Sequence, residues 1–183
     1  MADVSVRAAR PDDAAEIGRI QIETWRTGYG SILPAPILDA LEDDLAAAAW
    51  RDAVAEPPSR RHHVLIALEQ ERTVGFAAVG PADDLQPEDP APDTTAEISP
   101  LLVEPRWGRR GHGSRLLAAV VDHVRGDGMT RGLVWIPEQD AASREFYLSA
   151  GWAPDGLVRA LDTGAGELRE IRLHVSLETT TPG

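Results

Sequence analysis

Hydrophobic residues recur along this chain with two different periods, and each period predicts a different kind of element. Apolar side chains at every second position, in Val4, Val6 and Ala8, predict a first strand. A spacing of three to four residues then predicts two helical regions, one starting at 11–13 and reaching 28–30 and one ending near residue 55. Their apolar positions are Ile17, Ile20, Ile22, Trp25 and Tyr29, and then Leu38, Leu41, Leu45, Ala48 and Ala49.

The middle of the chain predicts a hairpin, a loop and a central strand. Residues 63–68 and 73–79 are apolar runs on either side of a polar turn, which is typical of two antiparallel strands. Residues 81–95 are rich in Pro and Asp and poor in apolar groups, so we expect a mobile, solvated acidic loop. The apolar run 96–103 predicts the central strand.

The last third of the chain alternates helices and strands. A helix is predicted from near Ser114, followed by a short buried strand at 132–136 and a short helix that ends at Gly151. Residues 157–161 and 168–177 predict a final hairpin, and we expect the tail 178–183 to be frayed. Without an internal repeat, the order predicts one mixed α/β domain over residues 1–183.

Composition narrows the function classes. The net charge is −12, which argues against nucleic acid as a partner, because affinity for it rests on clustered positive charge. The chain has no Cys, hence no disulfide, thiolate zinc site or Cys nucleophile, and no metal-ligand spacing is visible. The first residues contain no apolar run like that of a secretory leader, and no run reaches membrane-spanning length, so we expect a cytoplasmic protein without a membrane partner.

A basic, glycine-rich loop between a strand and a helix is the strongest chemical feature. Residues 103–117 read VEPRWGRRGHGSRLL. Gly111 and Gly113 allow a close backbone approach, the first helical turn offers free N–H groups to an anion, and Arg109 and Arg110 add charge. The alternative is a glycine-rich turn with a solvated Arg cluster. A nucleotide is a weaker alternative, because the Walker pattern needs a Lys, which the chain lacks, and the dinucleotide pattern fails at Leu116.

A second segment, residues 140–152, reads DAASREFYLSAGW, and the two segments together resemble the GNAT family of N-acetyltransferases. The resemblance extends more loosely from about residue 4 to about residue 177. Gly111 and Gly113 match the family's phosphate loop, commonly Q/R-x-x-G-x-G/A, and the later helix matches at Phe146, Tyr147, Gly151 and Trp152. The chain departs from the family at Gly108, where Gln or Arg is usual, at Ser143, where Ala is usual, and at Asp140, where Asn is frequent.

The resemblance implies a GNAT fold, with a central, mixed, twisted sheet of about six or seven strands and about four helices. It implies an enzyme that moves the acetyl group of acetyl-CoA to a primary amine by direct attack in a ternary complex, without a metal. The acceptor amine is unknown, and a homodimer through edge strands or the hairpin strand 168–177 is a further expectation. A non-catalytic acyl-CoA-binding or regulatory module on the same fold is the alternative, which Gly108 keeps open.

The resemblance also assigns cofactor contacts. It places the pyrophosphate on the loop Arg109, Arg110, Gly111, His112, Gly113 and Ser114, and the pantetheine on the strand edge Leu101, Leu102 and Val103, with Asp140 at the start of the later helix. We expect the side chains of His112 and Arg115 to face solvent or cofactor. Pro100 marks a strand bulge, because proline cannot donate to a ladder, and a following N–H is the expected oxyanion donor.

Two side chains are implied in the reaction itself and two more at the acceptor cleft. Tyr147 is expected to protonate the leaving thiolate, since a phenol and a thiol have similar pKa values. Glu97 is the expected general base, and its alternative is an exposed strand residue or a structural ion pair. Trp25 and Tyr29 are expected to flank the acceptor cleft, with core packing as their alternative.

Overall fold

Seven strands form one mixed sheet in the order β1-β2-β3-β4-β5-β7-β6 in a computed structural model that describes residues 4–178. The strands are β1 (Val4–Ala8), β2 (His63–Glu69), β3 (Arg72–Pro81), β4 (Thr95–Val103), β5 (Arg131–Pro137), β6 (Ala153–Asp162) and β7 (Glu167–Ser176). The helices are α1 (Ala14–Gly28), α2 (Ala35–Asp39), α3 (Asp43–Ala55), α4 (His112–Gly126) and α5 (Ala141–Ser149). The predicted mixed α/β architecture, both hairpins and the central strand are confirmed.

The second predicted helical region is two helices rather than one. Glu42 has extended dihedral angles (φ −121°, ψ 127°) and interrupts the helical run between α2 and α3. Asp43 and Asp44 then occupy the first turn of α3, where their charges interact favourably with the positive end of the helix dipole. The chain therefore restarts a helix at a position that the apolar spacing alone does not mark.

Helices cover the two faces of the sheet unequally. The helix α4 buries Leu116, Leu117 and Val120 against one face, where they pack in a single cluster with residues of β2 to β5 and β7. On the other face, Ile17 and Ile20 of α1 pack in a smaller cluster with residues that include Phe76 and Leu102. Each such side chain contributes about 1.5–3 kcal/mol when fully buried.

None of the helices within residues 4–178 combines the length and apolar character that a membrane span requires.

The loop 82–94 is tethered to β5 and β7 by buried charges. Arg172 donates to Asp89 at 2.7 Å and to Asp155 at 2.6 Å, and Arg131 donates to Asp89 at 3.1 Å. The side chains of Arg172 and Asp89 are only 2% and 5% exposed. The hydrogen bond from Arg172 holds the pKa of Asp89 well below its usual range. Asp89 therefore anchors the segment for which the sequence predicts mobility.

In the last hairpin, β6 is the edge strand of the sheet and β7 lies inside it. Residues 168–177 fall largely in β7, which pairs with β5 on one side and β6 on the other. Its backbone groups are therefore already used, and β7 is not an edge. The edge strand β6 carries the exposed side chains Val158 and Leu161. The expected frayed tail lies outside the described residues, apart from Glu178.

We expect Asp89→Ala to lower the free energy of unfolding by about 3 kcal/mol, because the buried Arg172 loses both hydrogen bonds to Asp89 and keeps the one to Asp155. Urea unfolding of the pure protein measures this change. The control is Asp93→Ala, which removes an exposed carboxylate from the same loop. Equal, small effects of the two substitutions would contradict the tether.

Candidate active site

The central strand β4 separates from its parallel neighbour β5 halfway along its length. Pairing runs from Thr95 opposite Arg131 to Ile98 opposite Val134 and then stops. On the other side, the register of β4 against β3 shifts so that Ser99 and Pro100 together oppose the single residue Ala78. Pro100 has no N–H to donate, so the bulge falls where the sequence predicts it. Beyond the bulge, residues 101–103 border a gap between β4 and β5.

A cavity of about 370 Å³ lies between this stretch of β4, the glycine-rich loop and α5. Seven of the predicted cofactor-binding residues line it, namely Leu101, Val103, Arg109, Gly111, His112, Gly113 and Ser114. Trp107, Ala142 and Phe146 add apolar wall. The cavity thus joins a strand edge, an apolar channel and the N-terminus of a helix, which suits a ligand with amide, apolar and anionic parts.

Two glycines give the loop a shape that other residues fit poorly. Gly111, the residue before α4, has φ +81°, and a Cβ there would lie 2.9 Å from Nη1 of Arg115. A Cβ on Gly113 would lie 3.3 Å from the Phe146 ring, which packs against the first turn of α4. Arg109 also has a positive φ, of 62°. The backbone is therefore held in a left-handed turn that brings it close to the cavity.

The side chain of His112 faces inward rather than toward solvent, while the residue borders the cofactor cavity. It is 1% exposed, and its Nε2 lies 2.8 Å from Oε2 of Glu69. The helix α4 starts two residues earlier than the sequence suggests, which places His112 one turn before Leu116 on the buried stripe. Glu69, at the β2–β3 turn, thereby fixes the start of α4.

Three predicted cofactor contacts lie outside the lining of this cavity. Arg110 turns toward Glu69, 3.3 Å away, and stacks 4.7 Å from the centre of the Trp107 ring. Leu102 is buried on the α1 face. Asp140 caps α5 by accepting from the amide of Ser143 at 3.0 Å and from its hydroxyl at 2.6 Å. Of the arginines in the loop, Arg109 alone lines the cavity.

A second cavity, of about 300 Å³, meets the first one at the gap. The two share Leu101, Ser143 and Tyr147 in their linings. All four residues expected at the reaction centre and acceptor cleft line the second cavity, and they are Trp25, Tyr29, Glu97 and Tyr147. Sequence reasoning missed Trp135, Arg159 and Glu170, which also line it and come from β5, β6 and β7.

Tyr147 is the most buried of these groups, at 3% exposure. Its ring packs edge-on against Phe146 and Trp152, with centroids 5.1 and 5.2 Å apart. Burial raises the pKa of the Tyr147 phenol well above its ordinary value, and the nearby Tyr29 and Asp140 raise it further. Tyr147 is therefore a protonated donor at neutral pH, held in one orientation where the cavities meet.

Glu97 lies on β4 before the bulge and is half-buried. Burial raises the pKa of its carboxyl, Arg159 opposes that rise, and the acidic groups Asp84, Asp83 and Glu170 add to it. Tyr29, on the opposite wall, has a pKa raised by burial and then by the Asp140 carboxylate. A base with a raised pKa works closer to neutral pH, as proton abstraction from an ammonium requires.

Within residues 4–178, no group of three or more His, Asp or Glu side chains is arranged to hold a metal ion.

Comparison with known proteins identifies the family. The model of the acetyltransferase (GNAT) family matches residues 22–152, so the chain belongs to the GNAT family. The uncharacterised N-acetyltransferase YuaI of Bacillus subtilis is 28% identical over 138 residues, covering 75% of this chain and 73% of YuaI.

Solved structures show the same fold. The PaiA N-acetyltransferase of Thermoplasma acidophilum, solved in complex with coenzyme A, has a TM-score of 0.72 at 13% identity, covering 95% of this chain and 99% of PaiA. YncA of Salmonella typhimurium, solved with its cofactor acetyl-CoA, has a TM-score of 0.71 at 20% identity, covering 100% of this chain and 98% of YncA. The fold expected from the sequence resemblance is confirmed.

We expect Gly111→Ala to weaken coenzyme A binding about tenfold, because a Cβ strains the left-handed backbone and meets Arg115. Isothermal titration calorimetry measures the dissociation constant. Gly126→Ala, at the other end of α4, is the matched control, since a Cβ there meets no atom within 4 Å. Unchanged affinity in a folded Gly111→Ala protein would show that the loop does not contact the ligand.

Proposed function

We propose that this protein is an N-acetyltransferase that moves the acetyl group of acetyl-CoA to a primary amine by direct attack in a ternary complex. The observation that carries the proposal is the meeting of two cavities at Leu101, Ser143 and Tyr147, beside the gap between β4 and β5. One cavity has the shape and donors of a coenzyme A channel. The other contains a carboxylate base and aromatic walls, so donor and acceptor reach one point from opposite sides.

The cofactor cavity fits acetyl-CoA by its own features. The positive-φ turn at Gly111 and the absence of a side chain at Gly113 let the first amides of α4 approach the pyrophosphate. Gly108 offers no side chain in place of the Gln or Arg that the motif often carries, so Arg109 and the backbone supply the positive potential. The bordering edge of Leu101–Val103 offers main-chain groups to the pantetheine amides, and the thioester supplies an activated acetyl group.

Glu97 prepares the amine for attack. It removes a proton from the acceptor ammonium, directly or through a water, which frees the nitrogen lone pair. The nitrogen bonds to the thioester carbonyl carbon, and an N–H at Leu101 or Leu102 donates to the resulting oxyanion. The carbon–sulfur bond then breaks with its electron pair on sulfur. Tyr147 gives its proton to that thiolate and regains one from the amine nitrogen or solvent, leaving an amide and coenzyme A.

Burial makes Tyr147 a suitable acid in spite of its raised pKa. The same apolar surroundings destabilise a thiolate at this point, so protonating sulfur removes a buried negative charge. Direct attack by the amine needs no covalent acetyl-enzyme, and the chain has no Cys that could carry one.

The test is a steady-state assay of thiol release from acetyl-CoA with a panel of primary amines, paired with thermal unfolding in the presence of acetyl-CoA. A ligand at 100 times its dissociation constant stabilises the native state by about 2.7 kcal/mol. Stabilisation with amine-dependent thiol release supports the enzyme. Stabilisation without turnover of any amine in a broad panel supports the non-catalytic acyl-CoA-binding module. The absence of both stabilisation and turnover refutes both functions.

We expect Tyr147→Phe to lower kcat about a hundredfold while leaving the affinity for acetyl-CoA nearly unchanged, because the ring still packs and only the proton is lost. Single-turnover kinetics and calorimetry separate the two effects. Leu148→Ala is the control, because Leu148 is an exposed residue of the same helix that lines neither cavity. A Tyr147→Phe enzyme with normal kcat would exclude the phenol as the acid.

We expect the kcat/KM profile against pH to fall on the acid side with an apparent pKa above the ~4.3 of an ordinary glutamate, because burial raises the pKa of Glu97 and only its carboxylate accepts a proton. Activity is present above that raised pKa and is lost as pH falls through it. Glu97→Gln should remove this limb and lower kcat about a hundredfold or more. An acid limb that persists in Glu97→Gln would assign the base elsewhere.

A further inference from the structure

The walls of the second cavity are mainly apolar away from the reaction centre. The apolar side chains come from α1, the segment that follows it, α2, and the last hairpin, and they are Trp25, Leu33, Ile37, Leu161 and Leu168. Leu161 is 38% exposed although it borders this cavity. Such surface favours a ligand with an apolar body, since burying it removes apolar area from water on both partners.

Arg159 is the one cation among the residues that line this cavity within the described chain, and it is already paired. Its Nε donates to Oε2 of Glu170 at 2.6 Å and its Nη1 donates to Asp84 at 3.4 Å. Its guanidinium also lies 4.3 Å from the centre of the Trp135 ring. Glu170 therefore neutralises this guanidinium before any substrate arrives, and the exposed Asp84 adds only a weaker, solvent-screened contact.

The charge balance of the cavity disfavours a substrate carboxylate. With Glu97 ionised, the two lining carboxylates Glu97 and Glu170 outnumber Arg159. A carboxylate on the substrate would have to displace Glu170 from Arg159 and would be repelled by the remaining acids. An ammonium is attracted by the same potential, and the faces of Trp25 and Tyr29 interact favourably with it.

The size of the cavity fits an aromatic amine. Its volume is about 300 Å³, whereas an engineered cavity of about 150 Å³ in another protein holds benzene. An aryl ring with a two-carbon amine arm therefore fits between the apolar wall and Glu97. We infer that the acceptor is an arylalkyl primary amine without a carboxylate, and that the Arg159–Glu170 pair is the element that rejects amino acids. This inference rests on the proposed acetyltransferase function.

An extended polyamine is the competing class for this site. A neighbouring cavity of about 390 Å³ shares Glu97 and Ser99 with the acceptor cavity and carries Asp83 and Asp84. The Asp84 side chain is 65% exposed, so solvent screens its attraction for a second ammonium. The apolar wall of Trp25, Leu33, Ile37, Leu161 and Leu168 is the larger selective feature, which favours the arylalkylamine.

The first test compares phenethylamine, phenylalanine and spermidine as acceptors with saturating acetyl-CoA. Phenethylamine and phenylalanine differ only by the carboxylate. We expect kcat/KM for phenethylamine to exceed that for each of the others by about tenfold or more. Equal or better use of phenylalanine or spermidine, or turnover of none of the three, overturns the inference. Thiol release with the broad amine panel separates that result from failure of the proposed function, because a non-catalytic protein releases no thiol with any amine.

The second test releases Arg159 by Glu170→Gln, which removes the negative charge that compensates it. We expect the ratio of kcat/KM for phenylalanine to kcat/KM for phenethylamine to rise about tenfold, because the freed guanidinium then binds the carboxylate. The matched control is Glu167→Gln, which neutralises an exposed glutamate on the same strand and should leave the ratio unchanged. A ratio that changes equally in both variants, or in neither, overturns the role of the pair.

Discussion

The loss of pairing between β4 and β5 is the constraint on which the rest of this molecule depends. The two strands form a parallel ladder from their N-terminal ends up to Ile98 and Val134, and no pairing continues beyond these residues. Pro100 contributes to that ending, because it cannot donate a hydrogen bond and it sits where the register against β3 shifts. The opening leaves the Leu101–Val103 edge beside one cavity and brings Tyr147 between that cavity and the next.

Burial, rather than strong ion pairing, prepares the two proposed proton-transfer groups. It raises the pKa of both Glu97 and Tyr147, and the same physical cause suits their opposite roles. A carboxylate whose charged form is destabilised by burial is a stronger base, and a phenol that stays protonated is available as a proton donor. The strong ion pairs are made by other residues, Arg172 with Asp89 and Arg159 with Glu170, where they hold the loop and the last hairpin in place.

Local sequence patterns predict the elements and the cofactor loop, but not the partners across the fold. Periodicity locates most of the helices and strands, and the motif locates Gly111 and Tyr147, because both signals lie within a few consecutive residues. The pair His112–Glu69 joins residues 43 apart, and Arg172–Asp89 joins residues 83 apart. Arg159–Glu170 bridges two strands whose register depends on the turn. Such contacts leave no periodic trace, so the inward turn of His112 and the charge balance of the acceptor cavity emerge only from the fold.

Amide hydrogen exchange with and without coenzyme A tests the central claim most directly. If the gap between β4 and β5 receives the pantetheine and the start of α4 receives the pyrophosphate, amides in Leu101–Val103 and 111–114 should exchange more slowly with ligand, while amides in β1 remain unchanged. Binding that protects neither segment, or protects the whole sheet uniformly, would contradict the account.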